Sequence, residues 1–172
     1  MIVYTIGHST RSIEDFIALL QAHGVSQLAD VRTIPKSRRH PHFAREALSQ
    51  SLLAAGISYR HVPGLGGLRK PVPDSSNGGW RHAGFRGYAD YMQTPAFVDA
   101  STHLIDWASE APTAIMCAEA VWWQCHRQLI ADALLARGIE VRHIMTAKAA
   151  AGHTLTSFAR VDGLRVTYPG LV

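Results

Sequence analysis

Residues 2–32 read IVYTIGHSTRSIEDFIALLQAHGVSQLADVR, and this stretch decides the fold. IVYTIGH (2–8) is a short, β-branched run that closes on Gly7, the pattern of a buried strand. Ser12, with Asp15 three residues on, resembles a capping box. Ile13, Phe16, Ile17 and Leu20 then recur at helical spacing, and Gly24 supplies a stop. VSQLADVR (25–32) is a second strand. Strand, helix and strand in 31 residues is the unit from which parallel sheets are built.

The same alternation continues. FAREALSQSLLAAG (43–56) reads as a helix, ISYRHV (57–62) as a third strand, and Thr94-Pro95 as the N-cap and first turn of another helix. TAIMCA (113–118) is a fourth strand. A helix is expected from about Cys125 to Arg137, with Leu129, Ile130, Ala133 and Leu134 inward, followed by EVRHIM (140–145) as a fifth strand. LRVTYP, in the less periodic tail, could add an edge strand. The expected fold is α/β: a single domain with a mostly parallel sheet of about five strands and helices on both faces, a Rossmann-like three-layer sandwich. Residues 63–87 interrupt the alternation with seven glycines and three prolines, a length of irregular chain that is usually functional or disordered.

The 172 residues suffice for one domain with a proper core. A hydrophobic share of 47% against 17% charged excludes a disordered chain, and no apolar run approaches the roughly 20 residues needed to span a bilayer. The N-terminus lacks the features of a signal peptide. The protein is therefore expected in the cytoplasm, away from membranes, where two cysteines are more readily thiols, ligands or redox groups than a structural bridge. Between residues 32 and 86 ten Lys/Arg face two acids, whereas the whole chain carries only +4. That segregation points the middle third towards an anionic partner, a nucleotide or nucleic acid.

In an open parallel sheet, ligands bind beyond the carboxyl ends of the strands. Here those ends carry His8 and Ser9, then Asp30 and Arg32, then Cys117 and Glu119, with the glycine-rich stretch after the third strand. Cys125, His126 and Arg127 fall in the expected first turn of a helix, where the positive dipole end favours an anion. A thiol there, beside a cation, is expected to be partly ionised near neutrality. Cys125 is thus the candidate nucleophile or redox thiol, with Glu119 or His126 to move protons. Cys117 and His8 complete the catalytic candidates, although the direction in which Cys117 faces depends on one residue of register. Arg32 and Arg127 are expected to hold the anion, with Ser9, Asp30, Arg69 and Arg86 as further substrate-binding candidates. Trp122 and Trp123 either pack the loop or stack a flat ligand.

No C-x-x-C pairing marks a zinc site, so no metal is assigned, and no motif names a cofactor. GLGG (64–67) lacks the Lys-Ser/Thr of a phosphate-binding loop, GHSTRS lacks the glycines of a dinucleotide fingerprint, and G-x-S-x-G is missing. Two other classes stay open beside the enzyme. One is a non-catalytic nucleic-acid-binding module using the basic segment; the other is a redox or metal protein using the two cysteines.

TIGHS (5–9), DVR (30–32) followed by Pro35 and Ser37, GLGG (64–67), FRGYADYM (85–92), CAE (117–119) and CHR (125–127) together resemble the domain-of-unknown-function family 488. The similarity covers nearly the whole chain. Members commonly carry an acidic residue and a proline between the last two motifs, where this chain has AVWWQ. The resemblance implies an α/β domain of unestablished activity, with an enzymatic role presumed from the cysteine-bearing motifs. Its motif positions here are His8, Ser9, Asp30, Arg32, Cys117, Glu119, Cys125, His126 and Arg127.

Overall fold

A computed structural model describes residues 1–170. Its centre is a six-stranded sheet in the order β3-β2-β4-β1-β5-β6. The strands are β1 (Ile2–Gly7), β2 (Gln27–Asp30), β3 (Ser58–His61), β4 (Thr113–Cys117), β5 (Glu140–Ile144) and β6 (Ala151–Gly152). The first five pair in parallel, and only the two-residue β6 runs antiparallel, against β5. The five strands expected from sequence are thus all present, and the α/β class holds.

Five helices cover the sheet: α1 (Ile13–Ala22), α2 (Arg45–Ala54), α3 (Ala83–Tyr91), α4 (Pro95–Ala108) and α5 (Arg127–Ala136). Alternation along the strands sorts the core into two layers. Ile6, Leu28, Ala114 and Met116 pack with Phe16 and Leu20 of α1 and Leu48 and Leu52 of α2. Val3, Ala29, Ile115 and Cys117 face the other way, towards Tyr88 of α3, Phe97 and Leu104 of α4, and Leu129 and Ile130 of α5. Helix starts follow the sequence signals: the Ser12 side chain accepts from Asp15 N at 3.0 Å, and Thr94 caps α4 ahead of Pro95.

Three expectations are corrected in detail. The helix anticipated from Cys125 begins at Arg127, because residues 122–124 form a separate 3-10 turn and Cys125 stays extended. LRVTYP does not extend the main sheet: Arg165–Thr167 (β8) pairs with Arg160–Asp162 (β7) in a hairpin of its own, and Val166 and Tyr168 join the α5 core layer. The glycine-rich stretch ends in α3 and is pinned throughout by polar anchors. Asp90 accepts from Val72 N, the Ser75 hydroxyl and Asn77 Nδ2, while Tyr88 and Tyr91 donate to the carbonyls of Leu65 and Gly64.

A buried polar chain runs behind the sheet rim. Arg127 Nη1 donates to Thr5 Oγ1 at 3.2 Å, and the Thr5 hydroxyl lies 2.6 Å from His143 Nδ1. His143 Nε2 lies 2.8 Å from His153 Nδ1, whose own Nε2 is 2.8 Å from Asp132 Oδ1. A guanidinium only donates and a carboxylate only accepts, so one proton per imidazole satisfies every link in a single direction, from Arg127 to Asp132. Asp132 also accepts from Thr156 N and the Tyr168 hydroxyl. Replacing Asp132 by alanine therefore orphans three buried donors, at about 1–3 kcal/mol each if left unpaired. Asp132→Ala is expected to show a cooperative urea transition at much lower denaturant, or no folded baseline. A midpoint equal to that of the wild type would contradict this network.

Candidate active site

β1 and β4 sit side by side at the middle of the sheet, with Gly7 level with Cys117. Beyond β4 the chain turns back across the end of β1, and His8 N and Ser9 N donate to the carbonyls of Cys117 and Ala118, each at 3.0 Å. The turn is close enough that a Cβ on Gly7 would overlap the Glu119 carbonyl. Ser9 adopts φ 51°, a left-handed conformation that is uncommon outside glycine. Glycine at 7 and strain at 9 are the local cost of laying the Cys117–Glu119 segment over the sheet edge.

The register settles the orientation of Cys117. It shares a face with Ile115 and points towards α5, where Cys125 lies. The two Sγ atoms are in contact, and the Cα atoms are 7.5 Å apart. Both cysteines are largely buried, at 3% and 5% exposure, and both line one cavity of about 430 Å³. His126 adjoins them, its Nδ1 3.4 Å from Cys125 Sγ. Its Nε2 lies 2.9 Å from the Val31 carbonyl, an acceptor only, so Nε2 carries the proton and Nδ1 is left to accept from the thiol. Burial pushes this imidazole down to about 4, with the Val31 hydrogen bond opposing and the Arg127 charge reinforcing, so it is neutral at neutral pH. Gly67, in the glycine-rich stretch, leaves the room this ring occupies: a Cβ there would come 2.6 Å from Nδ1.

Arg32 forms the opposite part of the wall. Its Nε and Nη2 donate to Asp30 at 2.9 and 2.7 Å, and Asp30, with no exposed surface, also accepts from the Tyr59 hydroxyl. This bidentate pairing fixes the guanidinium plane. Nη1 remains: it is buried and has no hydrogen-bond partner among the described residues, and Arg32 lines the cavity. Glu119 and Lys36, both exposed, also reach it, as do Leu68, His82 and Phe85, which sequence reasoning did not single out.

Other expected residues lie elsewhere. Arg127 does not line the cavity. It is fully buried, and Nη2 donates to the Glu119 carbonyl at 2.7 Å, so it holds the loop instead of an anion. Burial lowers it to about 10, which leaves it charged at neutral pH. Asp30 does not line this cavity and acts on Arg32. His8 packs on the far side, stacked on Phe43 at 4.3 Å with Nδ1 against its neighbour's carbonyl. Ser9 contributes backbone. Arg69 bonds the carbonyls of Gly66 and Pro63 and lies over the Tyr91 ring at 3.6 Å, and Arg86 reaches the carbonyls of Trp80 and Arg81. Trp122 stacks on His143, 4.2 Å between centroids, and so packs the loop.

An α/β sandwich with a thiol and a guanidinium at its strand ends is a broad class. The chain is placed within it by a family model described as "Domain of unknown function DUF488", which matches residues 12–134. The chain belongs to that family. Searches of curated proteins and of solved structures returned no match.

Three buried histidines give the stability a sign with pH. His8 and His126 are lowered to about 4 and His143 to about 3, each chiefly by burial, from the ordinary 6.5 that the unfolded chain retains. Between pH 6.5 and 4 the unfolded chain binds protons that the folded chain does not, so stability is full above 6.5 and falls as the pH drops through this window. The loss should reach about 1.4 kcal/mol per pH unit per ring. Urea titrations at pH 7, 5.5 and 4.5 are expected to show steadily falling unfolding free energies; a flat profile would contradict the neutral, buried state of these rings.

Proposed function

We propose that this protein is an enzyme that acts on a small anionic substrate, a nucleotide or nucleic-acid end in preference to a simple phosphate ester. Cys125 is the nucleophile, His126 Nδ1 accepts its proton, and Arg32 binds the anion. The observation that carries this reading is Arg32, whose Nη1 has no hydrogen-bond partner among the described residues, in the wall of the same cavity as Cys125 and His126. A buried donor left unpaired costs about 1–3 kcal/mol, an expense that an oxyanion in the cavity would remove. The pairing to Asp30 prevents the guanidinium from turning away, so the third nitrogen is held ready for the ligand. Glu119 at the rim is the remaining proton carrier, and Lys36 adds positive charge at the mouth.

A second reading is favoured by the exposed cations Lys36, Arg38, Arg39, Lys70 and Arg81: a module that binds nucleic acid without chemistry. Calorimetry with mononucleotides and a short single-stranded oligonucleotide separates the two. Arg32→Lys keeps the charge beside Asp30 but loses the forked donor, and is expected to weaken mononucleotide binding at least about tenfold, one charge-assisted hydrogen bond. Cys125→Ser is expected to bind as before and to turn nothing over. Equal affinity of wild type and Arg32→Lys for every ligand, with steep salt dependence only for the oligonucleotide, would favour the binding module and overturn the enzymatic reading.

A further inference from the structure

Both cysteines of the chain line one cavity with their sulfurs in contact, although nucleophilic catalysis by Cys125 needs only one of them. We propose that Cys117 and Cys125 form a dithiol–disulfide couple that exchanges with a small-molecule disulfide bearing carboxylate groups. The assignment rests on the anion-binding reading of Arg32 given above.

The two thiols are not equivalent, and their surroundings assign the order of events. Cys125 Sγ has an acceptor for its proton in His126 Nδ1 at 3.4 Å, whereas Cys117 Sγ has only the Glu119 carbonyl at 3.9 Å. Cys125 therefore attacks and Cys117 resolves. The Cys125 proton passes to His126 Nδ1. The thiolate bonds to one sulfur of the substrate R–S–S–R′, that S–S bond breaks, and R′–S⁻ leaves with the electron pair and takes up the proton. Cys117 Sγ then attacks Cys125 Sγ; the bond between them forms, and R–S⁻ leaves with the proton of Cys117. The protein has lost two electrons and two protons, and the substrate has gained them as two thiols. Two molecules of reduced thiol reverse the sequence.

The backbone also fits a reversible bond better than a permanent one. A relaxed disulfide has Cα atoms about 4.4–6.8 Å apart, and these are 7.5 Å apart. Cys117 ends a central strand hydrogen-bonded on both sides, while residues 121–125 form a turn outside the sheet, with Gln124 N bonded to Val121 O and Cys125 N to Trp122 O. Closure thus falls on the Cys125 side, and a bridged Cys125 has no proton left for His126 to accept. The substrate class follows from access. Sulfurs on residues 3% and 5% exposed are out of reach of a folded protein's disulfide, a cavity of about 430 Å³ admits a small molecule, and the guanidinium of Arg32 in its wall favours an anionic one.

Reduced full-length protein treated with glutathione disulfide, quenched with acid and resolved by mass spectrometry, tests the couple. The wild type is expected to convert to the internally bridged form with no lasting adduct. Cys117→Ser is expected to stop at a mixed disulfide on Cys125, and Cys125→Ser to gain nothing. If Cys117→Ser does not fold, wild type poised at stepped ratios of glutathione to its disulfide is expected to show one transition between reduced and bridged forms. A lasting glutathione adduct on wild-type Cys125 would overturn the couple while leaving the reactive Cys125 intact. No reaction of either cysteine until the chain is unfolded would overturn both the couple and the nucleophile.

Discussion

Arg127 carries a charge into the interior of this protein, and the surroundings of both cysteines are arranged to satisfy it. Its two terminal nitrogens meet Thr5 on β1 and the Glu119 carbonyl beyond β4, so a single side chain of α5 ties the helix, the central strands and the loop between the cysteines. A buried cation without such partners would cost several kcal/mol, and its Nε still lacks one among the described residues. The polar chain through His143 and His153 to Asp132 extends that constraint into the tail. The tail residues His153, Thr156 and Tyr168 lie outside the part of the chain matched by the family model, yet all three bond to Asp132 within it.

That framework explains why two arginines close in chemistry have different roles. Arg127 is spent on carbonyl and hydroxyl groups of the protein. Arg32 is held by Asp30 through two nitrogens, and its third has no hydrogen-bond partner among the described residues. Asp30 and Tyr59 thereby act on the cavity wall without lining it, by fixing the guanidinium of Arg32. Preorganisation of this kind places the cost of orienting the site in the folding of the protein.

The strand–helix alternation was legible because the five parallel strands each have their own short run and α1 and α4 carry capping residues at Ser12 and Thr94; α3 was not, because it begins inside the glycine-rich stretch. The clustering of Arg32, Cys117, Glu119, Cys125 and His126 was also legible, since strand ends of a parallel sheet share one rim. The roles of the arginines were not, because Arg32 and Arg127 differ only in what tertiary packing brings to their nitrogens. Nor was the side on which Cys117 lies: Gly7 against Cys117 is a pairing between strands more than a hundred residues apart. His143, His153 and Asp132 give no local signal either, being spread over β5, the tail and α5. Leu68, His82 and Phe85 reach the cavity only through the path of the glycine-rich stretch, which its composition does not specify.

In the proposed site Arg32 presents a fixed cationic donor to the thiol of Cys125. Alkylation of the reduced, native protein with iodoacetate and with iodoacetamide, followed at Cys125 by mass spectrometry, measures this directly, because the two reagents differ chiefly in charge. The rate ratio of iodoacetate to iodoacetamide at Cys125 is expected to exceed the ratio for glutathione by about tenfold, equivalent to about 1.4 kcal/mol, and Arg32→Lys to lower it markedly. A ratio equal to that of glutathione, unchanged by Arg32→Lys, would contradict it.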